Sequence, residues 1–100
     1  MTKQEQKEWV TALNYVTKRI EAEVSNYSLD KHDDLYDEED EWMVRALSWS
    51  RGMNEYEMVI TPYGQLKWAN PKTPRHLIVQ VLNASIEAVI DACEDSKNQN

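Results

Sequence analysis

The chain has 100 residues and a net charge of −7, with 41% hydrophobic and 29% charged residues, which is typical of one globular domain. A single cysteine, Cys93, and only two glycines exclude an internal disulfide, a cysteine-based zinc site and a glycine-rich phosphate loop. The polar N-terminus and the lack of a run of about 18 apolar residues predict a cytoplasmic protein without a signal peptide or membrane span.

Residues 4–27 are predicted to form an amphipathic helix, since neither proline nor glycine interrupts them. Their apolar residues recur at spacings of four and three, as on one helix face: Trp9, Leu13, Val16, Ile20, Val24 and Tyr27. Ser25 and Asn26 favour an end of the helix nearby.

The acidic segment, residues 28–41, is predicted to be a solvated loop or the first turn of another element, because its like charges repel one another. Residues 30–41 contain eight acids and one base, Lys31, and therefore carry a net charge of −7. Residues 42–76, with five bases and two acids, sum to +3. The negative charge is therefore concentrated in one short part of the sequence.

A β-hairpin is predicted over residues 55–69, where apolar residues alternate with polar ones at the period of a half-buried strand. Pro62 and Gly64 are typical of the turn between its strands. The predicted pairing sets Ile60 opposite Leu66 and Met58 opposite Trp68, with all four on the face that packs in the core.

Residues 43–50 fit either a strand or part of a helix, since short apolar runs are ambiguous. A strand is favoured, because residues 51–54 then form a tight connection into the hairpin. Residues 42–69 are accordingly predicted to form a three-stranded antiparallel meander.

A second helix is predicted over residues 74–95, with the Thr73 hydroxyl as its N-cap and Pro74 at its first position. Twelve of the seventeen residues from Leu77 to Cys93 are apolar, so this helix must be covered on more than one side. Residues 96–100 are predicted to be a disordered tail.

The resulting prediction for residues 1–100 is a single α+β domain, in which both helices pack on one face of the meander.

Catalysis finds little support in the sequence, which predicts a non-enzyme without a cofactor or metal. Cys93 lies in the apolar helix and is predicted to pack there, while His32 lies within the acidic segment and His76 near a helix start. No nucleophile is placed beside a base by any recognisable motif.

The acidic segment predicts instead a non-catalytic binding protein that docks on a basic surface of a partner, such as a nucleic-acid-binding enzyme, and blocks it. Tyr36 and Trp42 are predicted as anchors at its rim. The predicted partner-binding residues are Asp30, Asp33, Asp34, Tyr36, Asp37, Glu38, Glu39, Asp40, Glu41 and Trp42. In size and acidity the chain is similar to many phage-encoded inhibitors of bacterial defence systems, a likeness of composition only.

Three other interpretations compete with this one. A 12-residue calcium loop would begin at Asp30, but its third and sixth positions hold His32 and Leu35, where a ligand and a glycine are needed. Direct nucleic-acid binding by the basic region 42–76 is disfavoured by the overall negative charge. The main alternative is a structural module that forms a homodimer through the apolar helix Leu77–Cys93.

Overall fold

The computed structural model describes the backbone of residues 2–98 and the side chains of residues 2–94. The elements, in chain order, are α1 (Lys3–Glu23), β1 (Ser28–Asp37), β2 (Trp42–Arg51), β3 (Asn54–Ile60), β4 (Leu66–Ala69) and α2 (Arg75–Asn98). The strands form one antiparallel sheet in the order β1-β2-β3-β4. The predicted α+β meander flanked by two helices is confirmed, but with four strands instead of three.

The additional strand, β1, occupies most of the segment that was predicted to be a loop, and that prediction is wrong. β1 pairs with β2 along its whole length, from Ser28 opposite Ser50 to Asp37 opposite Trp42. It lies at an edge of the sheet, where nearly all its side chains are exposed. Water and dissolved ions therefore screen the repulsion between its like charges. Charged residues on an edge strand also hinder its pairing with another chain.

One hydrophobic core lies between the helices and a single face of the sheet, as predicted. Leu13, Val16 and Ile20 of α1 and Leu77 and Val81 of α2 are at most 2% exposed. They pack on side chains that alternate along the strands: Met43, Leu47, Trp49, Met58 and Ile60. We call the opposite face of the sheet, which neither helix covers, the open face.

The predicted hairpin exists, but its register differs from the prediction in one place. Ile60 is opposite Leu66, as predicted, whereas Trp68 is opposite Val59 and not Met58. Lys67 is an extra residue at this point, a β-bulge that reverses the side on which the next residue projects. Trp68 therefore lies on the open face, 47% exposed, and the prediction that it packs in the core is wrong.

The first helix ends earlier than predicted. The N–H of Val24, the C-cap residue, donates to the carbonyl of Ile20 over 2.9 Å, and the chain is extended from there. Tyr27, predicted as the last residue of the helical face, is outside α1 but still buried. Its hydroxyl oxygen lies 2.6 Å from Nε2 of His76, which ties the start of β1 to the start of α2.

Two details of α2 differ from the prediction. Thr73 Oγ1 is buried without a hydrogen-bond partner, so it does not cap the helix; the carbonyl of Pro74 accepts from the N–H groups of Leu77 and Ile78 instead. Residues 96–98, predicted to belong to a disordered tail, continue the helix. Residues 99 and 100 lie outside the described part of the chain.

Among the described residues, the Arg75–Glu94 part of α2 has the length and apolar composition that could cross a membrane. Core helices of soluble proteins share both properties, and α2 does pack one side on the core. The absence of a membrane span and the cytoplasmic location therefore stay predictions.

The two helices run antiparallel and are joined by an ion-pair cluster around Arg19 of α1. Arg19 binds Glu23 at 2.7 Å, Asp91 at 2.9 Å and Glu87 at 3.0 Å, of which the last two belong to α2. The hydrogen bond from Arg19 is the main reason why the pKa of the Glu23 carboxyl lies below its ordinary value. The same bond raises the pKa of Arg19, which stays charged throughout.

We expect this cluster to make stability depend on pH. Because the pKa of Glu23 is lower in the folded state, its contribution is full above the unfolded pKa, near 4.5, and is lost as the pH falls through the folded value. Arg19→Gln should therefore lower the urea midpoint at pH 7, and the difference from the wild type should shrink in acid. Lys18→Gln, at a neighbouring exposed position, is the control. A difference that does not vary with pH would contradict the expectation.

Candidate interaction surface

The predicted partner-binding acids of β1 do not share one surface, because side chains alternate across a strand. Asp33 and Asp37 project on the open face, while Asp34 projects toward the helices, opposite Arg45 of β2. Asp30 lies in a bulge between Leu29 and Lys31. The charge that is continuous in the sequence is thus divided between two faces of the sheet and a turn.

Asp34, whose side chain is partly exposed, forms an ion pair with Arg45, which is buried and only 2% exposed. The guanidinium donates to both carboxylate oxygens of Asp34, from Nε over 2.6 Å and from Nη2 over 3.1 Å. It also donates to Thr17 Oγ1 over 3.0 Å and to Asn14 Oδ1 over 2.7 Å, both on α1. Arg45 therefore joins β1, β2 and α1, and Asp34 serves as its counter-ion.

Asp37 shapes the turn between β1 and β2. Its Oδ1 accepts from the backbone N–H groups of Glu39 over 2.9 Å and Asp40 over 3.3 Å, and its carbonyl accepts from Glu41 over 2.8 Å. Glu41 has a φ of 58°, the left-handed conformation that closes such turns. Lys67 of β4 forms ion pairs with Asp37 and, at 3.3 Å, with Asp40.

The two predicted aromatic anchors differ in exposure. Tyr36 is 43% exposed at the end of β1. Trp42 is half-buried, and its ring packs against Tyr63 of the β3–β4 turn, with 5.3 Å between the ring centroids. Tyr36 is the more accessible of the two to a partner.

An apolar stripe crosses the open face, and we call it the open-face stripe: Leu35, Val44, Val59 and Trp68. Leu35 is 51% exposed and Trp68 47% exposed, whereas Val44 is buried between neighbours. A shallow depression of about 370 Å³ follows the stripe and is bordered by Asp37, Glu39 and Lys67 among others.

This stripe was not predicted from the sequence, because Trp68 was expected to pack in the core. One signal was present: Val59 is an apolar residue between Met58 and Ile60, and an apolar residue at that position of a half-buried strand must lie on the outer face. The bulge at Lys67 then places Trp68 on the open face beside Val59.

Seven of the eight predicted acids are exposed, all but Asp37. Apart from Asp34, which Arg45 binds, they lie around the stripe and along the adjoining edge, and we call these six the acidic rim: Asp30, Asp33, Glu38, Glu39, Asp40 and Glu41. Two of them have a cation nearby, since Lys31 lies 4.0 Å from Asp33 and Lys67 lies close to Asp40. Glu55 and Glu57 of β3 add further exposed carboxylates, and a second depression brings both beside Asp30.

No cluster of three or more His, Cys, Asp or Glu side chains suited to a metal ion occurs in the described part of the chain. The candidate calcium loop at residues 30–41 is not formed, because these residues make a strand and a turn and because Asp34 is bound to Arg45. Cys93, predicted to pack in the apolar helix, is exposed, so that prediction is wrong.

Comparisons with protein-family models, with curated proteins and with solved structures found no significant match. The chemistry of the open-face stripe and the acidic rim is therefore the basis on which a function can be proposed.

Proposed function

We propose that this is a non-catalytic binding protein whose open-face stripe and acidic rim dock on a basic surface of a partner protein. One observation carries the proposal: half-exposed Leu35 and Trp68 lie among exposed carboxylates on the sheet face that neither helix covers. Specific interfaces combine an apolar, often aromatic centre with a polar rim. The stripe would prolong the complex, and the carboxylates would speed its formation.

The chemistry of the rim indicates the kind of partner. Nucleic-acid-binding enzymes bind phosphates with clusters of lysine and arginine. A dense group of carboxylates is complementary in charge to such a cluster. By covering such a cluster, the protein would keep the enzyme from its nucleic acid. An inhibitor of a bacterial defence enzyme, encoded by a phage, is the biological setting that we propose for it, on size and acidity alone.

A structural explanation accounts for part of the charge. Acids along an edge strand such as β1 hinder pairing with the edge of another sheet. That explanation does not cover Glu38, Glu39 and Glu41, which lie in the turn beyond the strand, nor the exposed Trp68 on the opposite edge strand. The stripe therefore distinguishes the binding proposal from simple edge protection.

The test uses charge variants with equal net charge. The rim variant combines Asp33→Asn, Glu38→Gln and Glu39→Gln, and the matched control neutralises three acids of α1, Glu5, Glu8 and Glu21, in the same way. Each set changes the net charge from −7 to −4. A third variant, Trp68→Ala, removes the centre of the stripe, with Tyr15→Ala as its exposed aromatic control.

Wild-type protein on beads should retain a partner from bacterial lysate that elutes as the salt concentration rises. With that partner purified, the rim variant should bind about tenfold more weakly, chiefly through slower association. Trp68→Ala should accelerate dissociation by about tenfold or more. Both controls should bind as the wild type does. If the rim variant and its control lost affinity equally, the effect would be due to net charge alone, which would contradict the proposal. Full binding by both the rim variant and Trp68→Ala would contradict it as well.

A further inference from the structure

The side of α2 that faces away from the core carries a second apolar feature, the outer stripe of α2. Its residues follow one another at spacings of four and three in turn: Val79, Asn83, Ile86, Ile90 and Cys93. Val79, Ile86 and Ile90 are 46%, 54% and 51% exposed, although Val81 and Ala84 on the core side of the same helix are at most 1% exposed. Alternating spacings of four and three are the pattern by which one helix packs along another.

We infer that a second copy of this chain covers the outer stripe, with the two α2 helices antiparallel across a two-fold axis between Ala84 and Ser85. In that arrangement Val79 meets Ile90 of the second copy, and Asn83 meets Ile86. Every contact then occurs twice, as a two-fold interface requires.

The distribution of charge along α2 selects the antiparallel direction. Lys72 and Arg75 precede or begin the helix, while Glu87, Asp91 and Glu94 lie in its second half. Antiparallel pairing brings Arg75 near Glu94 of the second copy, twice, and aligns the helix dipoles favourably. Parallel pairing would instead place Glu94 beside Glu94 of the second copy.

Two features favour a second copy over a bilayer. Asn83 lies within the stripe, and Glu87 and Asp91 of the same helix are held by Arg19, so the circumference of α2 is not uniformly apolar. One helix face is a small interface, and the expected dimer is accordingly weak, with a Kd in the micromolar range. The open face lies on the other side of the sheet and stays accessible, so the dimer would present two copies of the docking surface.

Sedimentation velocity across protein concentrations from about 5 to about 500 µM, around a micromolar Kd, tests the inference. The wild type should pass from monomer to dimer in that range. Ile86→Glu should stay monomeric throughout while keeping its circular dichroism spectrum, since Ile86 is half-exposed. Leu35→Glu, a similar change on the open face, should dimerise as the wild type does. A wild type that is monomeric throughout, or an Ile86→Glu protein that still dimerises, would overturn the inference.

A charge exchange tests the antiparallel direction. Arg75→Glu and Glu94→Arg should each weaken the dimer, by about fivefold at low salt, because each breaks two symmetric ion pairs. The double variant, which restores the pairs with reversed polarity, should recover the wild-type Kd. Failure of the double variant to recover would overturn the proposed direction of pairing.

Discussion

Replacing Arg45 with alanine is expected to lower the free energy of unfolding by about 2–5 kcal/mol, the range for truncating a large buried side chain and much of the stability of an ordinary domain. The guanidinium is 2% exposed and donates hydrogen bonds to Asp34, Asn14 and Thr17. Its removal leaves a cavity in place of a buried side chain and takes the counter-ion from Asp34, whose carboxylate is partly exposed to water. Urea unfolding followed by circular dichroism measures the loss.

Two further variants separate this effect from the loss of any arginine. Arg51 lies at the exposed end of the same strand, over the ring of Tyr27, and Arg51→Ala should cost at most about 1 kcal/mol. The double variant Arg45→Met with Asp34→Leu removes both charges and should recover a large part of the stability lost in Arg45→Met alone. An Arg45→Ala protein as stable as Arg51→Ala would show that the contacts of Arg45 with Asp34, Asn14 and Thr17 contribute nothing to the fold.

Alanine at Gly64 is expected to cost about 2–4 kcal/mol, for two reasons that add. Gly64 has a φ of 77°, a conformation that costs an L-residue about 1–2 kcal/mol. An added Cβ would also stand 3.0 Å from the Ser85 carbonyl oxygen and 3.0 Å from Val89 Cγ2, both on α2. The β3–β4 turn is thus packed against the helix too closely for a side chain.

Gly52 provides the matched control for this substitution. It has a similar φ of 62°, but an added Cβ would meet nothing within 4 Å. Gly52→Ala should therefore cost only the conformational part, about 1–2 kcal/mol. The difference between the two urea midpoints isolates the contact with α2, and equal midpoints would contradict close packing of the turn.

The regular elements were predictable where burial imposes a period on the sequence. The three-and-four spacing of apolar residues indicated α1, and the period of two indicated the hairpin of β3 and β4. The helix-start residues Thr73 and Pro74 and the apolar residues after them indicated α2, whereas β2 was favoured only because residues 51–54 could form a tight connection. β1 was not predicted, because an edge strand that is exposed on both faces needs no alternation of apolar and polar residues. Its pairing depends on hydrogen bonds to the backbone of β2, and the pattern of apolar and polar side chains does not report backbone groups.

The candidate surface was predictable in composition but not in arrangement. All six acids of the rim were identified from charge clustering, since exposed charges need no specific partner. The engagement of Asp34 by Arg45 depends on a strand register that joins residues eleven positions apart, and no local pattern encodes that register. The exposure of Trp68 depends on one extra residue, Lys67, whose bulge inverts the alternation.

The antiparallel contact between α1 and α2 has a consequence for biosynthesis. It joins the first and last elements of the chain, through residues such as Arg19 and Asp91 that are 72 positions apart. While a ribosome is still adding the C-terminal segment, Leu13, Val16 and Ile20 lack a large part of their final cover. The apolar face of α1 therefore stays exposed on the nascent chain until α2 has left the exit tunnel and can pack on it.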